Sequence, residues 1–205
     1  MIAIIDYGAG NLHSVKNALD FLGAENIISN KAEEILAADK IILPGVGAFG
    51  HAMDALKKSG MDKTVKEVVK LSKPLLGICL GLQLMFEESE EAPGEKGLGL
   101  FKGKIVKIPD TGLKIPHMGW NSLSGNENSR LLGNLGKNPY VYFVHSYYLT
   151  TPEEDVVSAY THYGAKLGVA VERGNVFATQ FHPEKSGDVG MKILENFINM
   201  KGRTI

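Results

Sequence analysis

The sequence predicts an α/β fold with a mostly parallel central sheet flanked by helices, and with antiparallel strands added in the second half. In the first half, short apolar runs rich in β-forming residues alternate with amphipathic segments. This alternation is typical of βαβ units, whose strands pair in parallel. From about Gly97 onward, strand-like runs are separated by turn-forming stretches alone, which is typical of antiparallel strands.

The first half begins with a predicted strand at Ile2–Asp6, followed by the turn Tyr7-Gly8-Ala9-Gly10. Asn11 is a predicted helix cap, and the apolar residues after it recur at helical spacing until Gly23, a common helix-ending residue. The turn lacks the third glycine of a dinucleotide-binding fingerprint, so we interpret it as structural. The other strands and helices of this half are predicted, in chain order, at Lys40–Leu43, Ala48–Lys58, Asp62–Leu71, Pro74–Ile78 and Leu80–Glu88.

The second half is predicted to be rich in strands. Turn-forming stretches such as Ser124-Gly125-Asn126 and Gly133-Asn134 separate them, and Gly187–Met200 closes the chain as a helix. We find no internal repeat, low-complexity tract or flexible linker, and we therefore expect a single domain over residues 1–205. The strands of this half are predicted at Gly103–Ile108, Tyr140–Leu149, Val156–Tyr160, Gly168–Glu172 and Val176–Phe181.

The composition excludes several classes of function. With 44% hydrophobic residues among 205, the chain can bury a substantial core. Lys and Arg number 22 against 23 Asp and Glu, without a long run of either sign, which argues against binding to nucleic acid or to a membrane surface. No stretch approaches the ~18 apolar residues of a membrane span, and the N-terminus lacks the basic region of a signal peptide. Cys79 is the single cysteine, so an internal disulfide and a multi-cysteine metal site are excluded, and we expect a cytoplasmic protein without a metal.

Cys79 is the candidate nucleophile. It lies in Gly77-Ile78-Cys79-Leu80-Gly81, which matches the G-x-Ser-x-G nucleophile elbow with sulfur in place of oxygen. The sharp strand-to-helix turn strains the backbone, and the two glycines remove Cβ atoms that would clash. The start of the next helix favours the reactive thiolate. A lone cysteine is often only a small core residue, but this context favours a nucleophile.

His182 is the best candidate for the catalytic base. It follows a predicted strand, at the edge where the loops of an α/β sheet gather around ligands. In an extended His182-Pro183-Glu184 segment, both polar side chains lie on one side, so the carboxylate can orient the imidazole. A His-x-Glu pair alone is more often a solvated surface pair. Together with Cys79, however, it supplies nucleophile, base and orienting acid.

The stretch from Leu43 to Phe49 follows a predicted strand and opens a helix. Its glycines allow backbone N–H groups to approach a ligand closely. We interpret the N–H groups of Val46 and Leu80 as the donors that stabilise an oxyanion, although an ordinary strand-to-helix turn explains the glycines equally well without Cys79.

These motifs together resemble those of the class I (triad-type) glutamine amidotransferases. The resemblance covers the chain from the first predicted strand to the last helix, and no triad position departs from the family pattern. It depends on Pro44-Gly45-Val46-Gly47, Gly77-Ile78-Cys79-Leu80-Gly81-Leu82-Gln83 and Phe181-His182-Pro183-Glu184. Three further stretches are similar to those of the family's glutaminase subunits that serve histidine biosynthesis, namely Ile5–Asn11, Pro116–Asn121 and Phe143–Tyr148.

The resemblance implies a flavodoxin-like arrangement and a hydrolase that converts glutamine to glutamate without a cofactor. The released ammonia would pass to a cyclase, a (β/α)8 barrel, as heterodimer partner. Family contacts to glutamine map onto Gly47, Leu80, Gln83 and the backbone of His145, Ser146 and Tyr147.

Two residues are candidates for the surface that contacts a partner. Trp120 is the only tryptophan, and interfaces favour such anchors, although a core position suits a tryptophan equally well. Lys185, just after Glu184, is a second candidate.

Other functions remain open at this point. One is a triad amidotransferase that feeds another synthase, such as one for pyridoxal phosphate or anthranilate. Another is a stand-alone cysteine hydrolase or peptidase, and a third is a non-catalytic regulatory module. The intact Cys79, His182 and Glu184 argue against the third, because such modules commonly lose the nucleophile.

Overall fold

Strands and helices alternate through the first half of the chain, as predicted. The computed structural model describes residues 1–125 and 127–201. The helices are α1 (Leu12–Phe21), α2 (Ala32–Ala37), α3 (Phe49–Lys58), α4 (Met61–Lys70), α5 (Leu80–Leu84) and α6 (Gly187–Asn199), with short 3-10 helices at Glu154–Val156 and Pro183–Lys185. The strands are β1 (Ile2–Ile5), β2 (Asn26–Ser29), β3 (Lys40–Gly45), β4 (Leu75–Cys79), β5 (Glu88–Ser89), β6 (Lys104–Lys107), β7 (His117–Ser122), β8 (Tyr140–His145), β9 (Tyr147–Thr150), β10 (Val157–Tyr163), β11 (Ala165–Arg173) and β12 (Val176–Thr179).

The described residues form a ten-stranded sheet in the order β2-β1-β3-β4-β12-β11-β9-β6-β5, with β10 paired to β11. Strands β2, β1, β3, β4 and β12 are parallel to one another. The pairs of β11 with β12, β10 and β9, and of β9 with β6, are antiparallel. The prediction of a parallel core with antiparallel strands added by the second half is therefore confirmed. Strands β7 and β8 form a separate antiparallel pair.

Successive residues of β1 point to opposite faces of the sheet and enter two different core layers. Ala3 and Ile5 pack with α2, α3 and α4, whereas Ile2 and Ile4 pack with α1, α6 and the β7–β8 pair. Each layer buries apolar side chains from the same parallel strands, because side chains alternate along a strand. The central strands are thus covered on both faces.

Several elements differ from the predictions. Strands β2, β5 and β7 and helix α2 were not predicted, and the long strand predicted at Tyr140–Leu149 is interrupted at Ser146. The helix predicted to reach Glu88 ends at Leu84. Its next carbonyl groups accept hydrogen bonds from a later loop instead, in the pairs Leu84–Leu98, Met85–Leu100 and Phe86–Gly99. The predicted turn at Ser124-Gly125-Asn126 includes Asn126, which lies outside the described residues, as do residues 202–205 of the predicted domain.

The carboxyl ends of the parallel strands meet at one edge of the sheet. In the register of β3 with β4, Gly45 lies beside Cys79, and β12 places Thr179 beside Ile78 on the other side of β4. Cys79 therefore lies between the end of β3 and the segment that carries His182. Ligands of open α/β sheets bind at such an edge.

Candidate active site

Cys79 occupies a strained position at the end of β4. Its φ of 56° and ψ of −111° lie in a backbone region that residues other than glycine rarely adopt, and α5 begins at the next residue. A Cβ at Gly81 would lie 2.0 Å from the carbonyl oxygen of Leu43, and a Cβ at Gly77 would lie 3.0 Å from the carbonyl oxygen of Gly81. The glycines are therefore required by close packing, as the elbow motif predicts.

His182 and Glu184 form a buried pair beside this elbow. The His182 Nδ1 and Glu184 Oε1 atoms are 2.8 Å apart, and the two side chains are 3% and 1% exposed. The segment is not extended as predicted, because Pro183–Lys185 form a 3-10 helix, and this tight turn brings the two side chains together. The backbone of His182 is fixed at both groups, because its N–H donates to the Tyr142 carbonyl at 3.1 Å and its carbonyl accepts from Ser186 Oγ at 2.6 Å. Because the Nδ1 atom of His182 is hydrogen-bonded to Glu184, its Nε2 atom is the ring nitrogen available to the thiol of Cys79.

The charge of His182 is set by opposing effects. Burial alone would lower its pKa, but hydrogen-bonding and charge interactions with Cys79 and Glu184 outweigh burial and raise the pKa from 6.5 to about 9. With these interactions in place, the imidazolium form of His182 predominates at neutral pH.

Cys79 and His182 open into one cleft of about 350 Å³. The predicted oxyanion donors Val46 and Leu80 lie on its wall, with Val46 42% exposed. The predicted substrate contacts also line it, namely Gly47, Gln83, His145, Ser146 and Tyr147. Glu184 does not line the cleft, because it lies behind the imidazole ring.

His145 is held by a directional chain of hydrogen bonds. Its Nδ1 atom is 2.8 Å from the Tyr147 carbonyl and must donate, so its Nε2 atom accepts from His117 Nδ1 at 2.9 Å. Burial lowers the pKa of both histidines to about 4, so both rings are neutral at neutral pH. This chain fixes the backbone of the 145–147 segment where it borders the cleft.

Three residues that line the cleft were not among the predicted site residues, namely Glu91, Pro116 and Val144. Glu91 is the most informative, since its Oε2 accepts from the Phe49 N–H at 2.8 Å and so joins the cleft wall to the first turn of α3. It lies in the acidic stretch Glu87–Glu91, where nothing in the sequence distinguishes one carboxylate from its neighbours.

The two predicted partner-facing residues lie near the cleft. Trp120 is 55% exposed and packs edge-on against Tyr142, with ring centroids 6.1 Å apart. Its ring tip is 3.9 Å from the position that a Cβ at Gly187 would take. Lys185 is exposed at the rim and lines the cleft.

Residues 1–125 and 127–201 contain no group of three or more His, Cys, Asp or Glu side chains arranged to hold a metal ion. Within the same ranges, no helix is both long enough and apolar enough to cross a membrane.

The fold and the Cys–His–Glu arrangement define a class of amidotransferase. The family model "Glutamine amidotransferase class-I" matches residues 3–200. Two solved structures share the fold: a glutamine amidotransferase with a TM-score of 0.73 and 22% identity, covering 96% of this chain and 99% of that one, and PurLQS from Thermotoga maritima with a TM-score of 0.77 and 20% identity, covering 97% of each. The chain belongs to the class-I glutamine amidotransferases.

Within this family, the chain is most informatively compared with two curated relatives. It is 52% identical over 197 residues to imidazole glycerol phosphate synthase subunit HisH of Bacillus cereus strain G9842, covering 96% of this chain and 93% of the relative. It is 50% identical over 200 residues to the subunit of the same name from Methanocaldococcus jannaschii, covering 98% and 100%. The chain therefore belongs to the family of HisH subunits of imidazole glycerol phosphate synthase.

Proposed function

We propose that this chain hydrolyses glutamine to glutamate and ammonia through a thioester on Cys79, and that it delivers the ammonia to a cyclase subunit that makes imidazole glycerol phosphate in histidine biosynthesis. The main support for this proposal is the arrangement of three side chains. Cys79, on a strained strand end, shares a cleft with His182, which is paired to the buried Glu184.

In the first step the Cys79 thiolate attacks the side-chain amide carbon of glutamine. The tetrahedral intermediate carries a full negative charge on oxygen, and the backbone N–H groups of Val46 and Leu80 on the cleft wall are the proposed donors to it. His182, as imidazolium, then gives its proton to the departing nitrogen. Ammonia leaves and a γ-glutamyl thioester remains on sulfur.

The second step uses the change in charge at sulfur. Once Cys79 is acylated, its negative charge is gone, and the Cys79 interactions that help to raise the pKa of His182 are lost with it. The neutral imidazole can then accept a proton from water, which attacks the thioester and releases glutamate. Glu184 holds the ring in place through both steps.

The cleft wall supplies groups that suit an amino-acid substrate. Gln83 and the 145–147 backbone can hydrogen bond polar parts of glutamine, and Gly47 allows close approach of its backbone. Glu91 adds a carboxylate that would bind the substrate's α-ammonium group. The side chain of glutamine would then reach from this end of the cleft to the sulfur of Cys79.

A partner follows from the chemistry of ammonia. Free in neutral water, ammonia is mostly ammonium, which is not nucleophilic, so a shielded path to the acceptor is favoured. We define the β7–β8 surface as the exposed side chains of Met118, Trp120 and Tyr140. Met118 pairs in register with Val144, which lines the cleft, so this apolar surface borders the cleft mouth. It is the proposed docking surface for the (β/α)8-barrel cyclase, in a heterodimer in the cytoplasm.

The experiment that tests this function is glutamine hydrolysis with and without the cyclase and its nucleotide ligand. We expect the rate of glutamate formation to rise strongly when both are added, because hydrolysis without the acceptor would lose its ammonia to water as ammonium. Cys79→Ala, which removes the nucleophile, should abolish the rate under both conditions. Near-normal hydrolysis by Cys79→Ala would refute the mechanism, and equal rates with and without the partner would refute the coupling.

A further inference from the structure

Gln180 is a buried amide between the nucleophile and the cleft wall. Its exposed fraction is 0%, and its backbone N–H donates to the Val169 carbonyl at 2.8 Å, which fixes it to β11. A buried amide without partners costs free energy, whereas an apolar side chain of similar size does not. The partners of the amide therefore indicate what it does.

The Gln180 side chain lies in a chain of hydrogen bonds that ends at the reactive sulfur. Gln83 Nε2 donates to Gln180 Oε1 at 3.0 Å, and Gln180 Nε2 donates to Cys79 Sγ at 3.8 Å. Reversing the Gln180 amide alone would place two NH2 groups face to face, and reversing both amides would place an oxygen against the sulfur, so a negative sulfur favours the orientation with the Gln180 NH2 group toward it. Both bonds run toward the sulfur, and the first polarises the second.

We propose that Gln180 is a catalytic residue that donates a hydrogen bond to the Cys79 thiolate and holds Gln83 against the substrate, an inference that rests on the proposed glutaminase function. A hydrogen bond to a charged acceptor is stronger than one to a neutral acceptor, so this contact favours thiolate over thiol. The amide is neutral at all working pH values, and it therefore stabilises the negative sulfur without taking the proton that His182 carries.

The same contact acts again when the thioester is cleaved. Water attacks the thioester carbonyl carbon, its proton passes to His182, and the carbon–sulfur bond breaks with the electron pair remaining on Cys79. The sulfur thus regains its negative charge as leaving group, and the Gln180 donor is already in place to receive it.

Gln180 also joins this sulfur to a predicted substrate contact. Gln83 lines the cleft with 6% of its surface exposed, and one of its amide hydrogens is bonded to Gln180 Oε1. Losing Gln180 should consequently affect the Michaelis constant through Gln83 and the turnover number through Cys79. A purely structural residue would move neither once the fold is intact.

The test is Gln180→Met in the full chain, with alkylation of Cys79 by iodoacetamide followed across pH in the absence of glutamine. We expect the alkylation profile to move to higher pH and the rate at pH 7 to fall at least tenfold, as expected for one lost hydrogen bond of about 1.5 kcal/mol to a charged group. The glutaminase turnover number should fall and the Michaelis constant should rise. An unchanged alkylation profile together with unchanged kinetics would overturn the inference.

Thr179→Val is the matched control. Thr179 is equally buried, its Oγ1 donates to the Phe181 carbonyl at 3.1 Å, and the substitution removes a buried hydrogen bond one residue away without touching the sulfur. It should lower thermal stability and leave the alkylation profile in place. If Thr179→Val moved the profile as far as Gln180→Met, the effect would be one of folding and the inference would be wrong.

A measurement on the unaltered chain covers the case in which Gln180→Met does not fold. The side-chain amide resonances of 15N-labelled Gln180 should shift across the same pH range in which Cys79 alkylation rises, and constant resonances would count against the contact. Glutamine hydrolysis by the unaltered chain tests the proposed function separately. If the enzyme hydrolyses glutamine but its Gln180 resonances do not change with the titration of Cys79, the glutaminase function is supported and only the role of Gln180 is refuted.

Discussion

At the scale of single residues, the proposed chemistry uses groups that come from three strand ends. Cys79 ends β4, His182 follows β12, and the backbone N–H of Val46 follows β3. The sequence was enough to propose these residues, because the elbow glycines and the His-Pro-Glu order are local patterns. It did not reveal Glu91 or the contacts of Gln180, since both depend on distances between segments far apart in the chain.

Glu184→Gln should lower the pKa of His182, since the carboxylate is one of the groups that raise it from 6.5 to about 9. The imidazolium form is present below the pKa, so the alkaline limb of the pH–rate profile for ammonia release should move to lower pH. NMR titration of the His182 ring would follow the same change directly. Glu172→Gln, at a half-buried ion pair with Arg130, is the control and should leave both curves in place. A His182 titration that does not respond to Glu184→Gln would contradict the account.

At the scale of elements, the β4-to-α5 turn concentrates backbone strain at Cys79, the proposed nucleophile. The parallel strands around it were predicted because apolar β-rich runs alternate with amphipathic segments. The length of α5 was not, since its end is set by hydrogen bonds to the loop around Gly99. Strand β7 was missed for a similar reason: its alternation of buried His117 and exposed Met118 becomes visible only when β8 pairs with it. Element boundaries can be predicted from sequence only where a local signal sets them, and not where contacts with a distant segment do.

The strain at position 79 can be measured by comparing two substitutions. The free energy of unfolding of Cys79→Gly should be about 1 kcal/mol higher than that of Cys79→Ala, because glycine adopts a φ of 56° more readily than alanine does. Inside a helix the relative stability of alanine and glycine is the reverse, so Ala55→Gly in α3 should destabilise the protein. Urea denaturation of the three variants measures these differences. Should Cys79→Ala prove the more stable of the pair, the elbow would not be strained.

At the scale of the whole molecule, the separate β7–β8 pair places the proposed docking surface beside the candidate site. The Tyr142 carbonyl on β8 accepts the N–H of His182, and Trp120 on β7 packs against the Tyr142 ring. Tyr142 therefore connects Trp120, through its ring, with the backbone of His182, through its carbonyl group. The sequence predicted the α/β class, but the placement of the β7–β8 pair beside the cleft requires the three-dimensional structure.

Trp120→Ala should weaken association with the cyclase at least tenfold while leaving the unstimulated glutaminase rate close to that of the unaltered chain, since the side chain is half exposed and outside the cleft. Because it is the only tryptophan of this chain, its fluorescence in the unaltered protein should change when a tryptophan-free cyclase binds. Phe21→Ala, which removes an 80% exposed ring on α1, is the control and should not alter affinity. Equal affinities for all three proteins would place the docking surface elsewhere.

In the proposed mechanism, the sulfur of Cys79 carries the glutamyl group during turnover. Acid quenching of the enzyme during glutamine hydrolysis, followed by peptide mass mapping, detects this group directly. We expect a glutamyl adduct on the peptide that contains Cys79, formed only in the presence of glutamine and absent from Cys79→Ala. Steady glutamine hydrolysis with an adduct on a different residue, or hydrolysis that persists in Cys79→Ala, would contradict this mechanism.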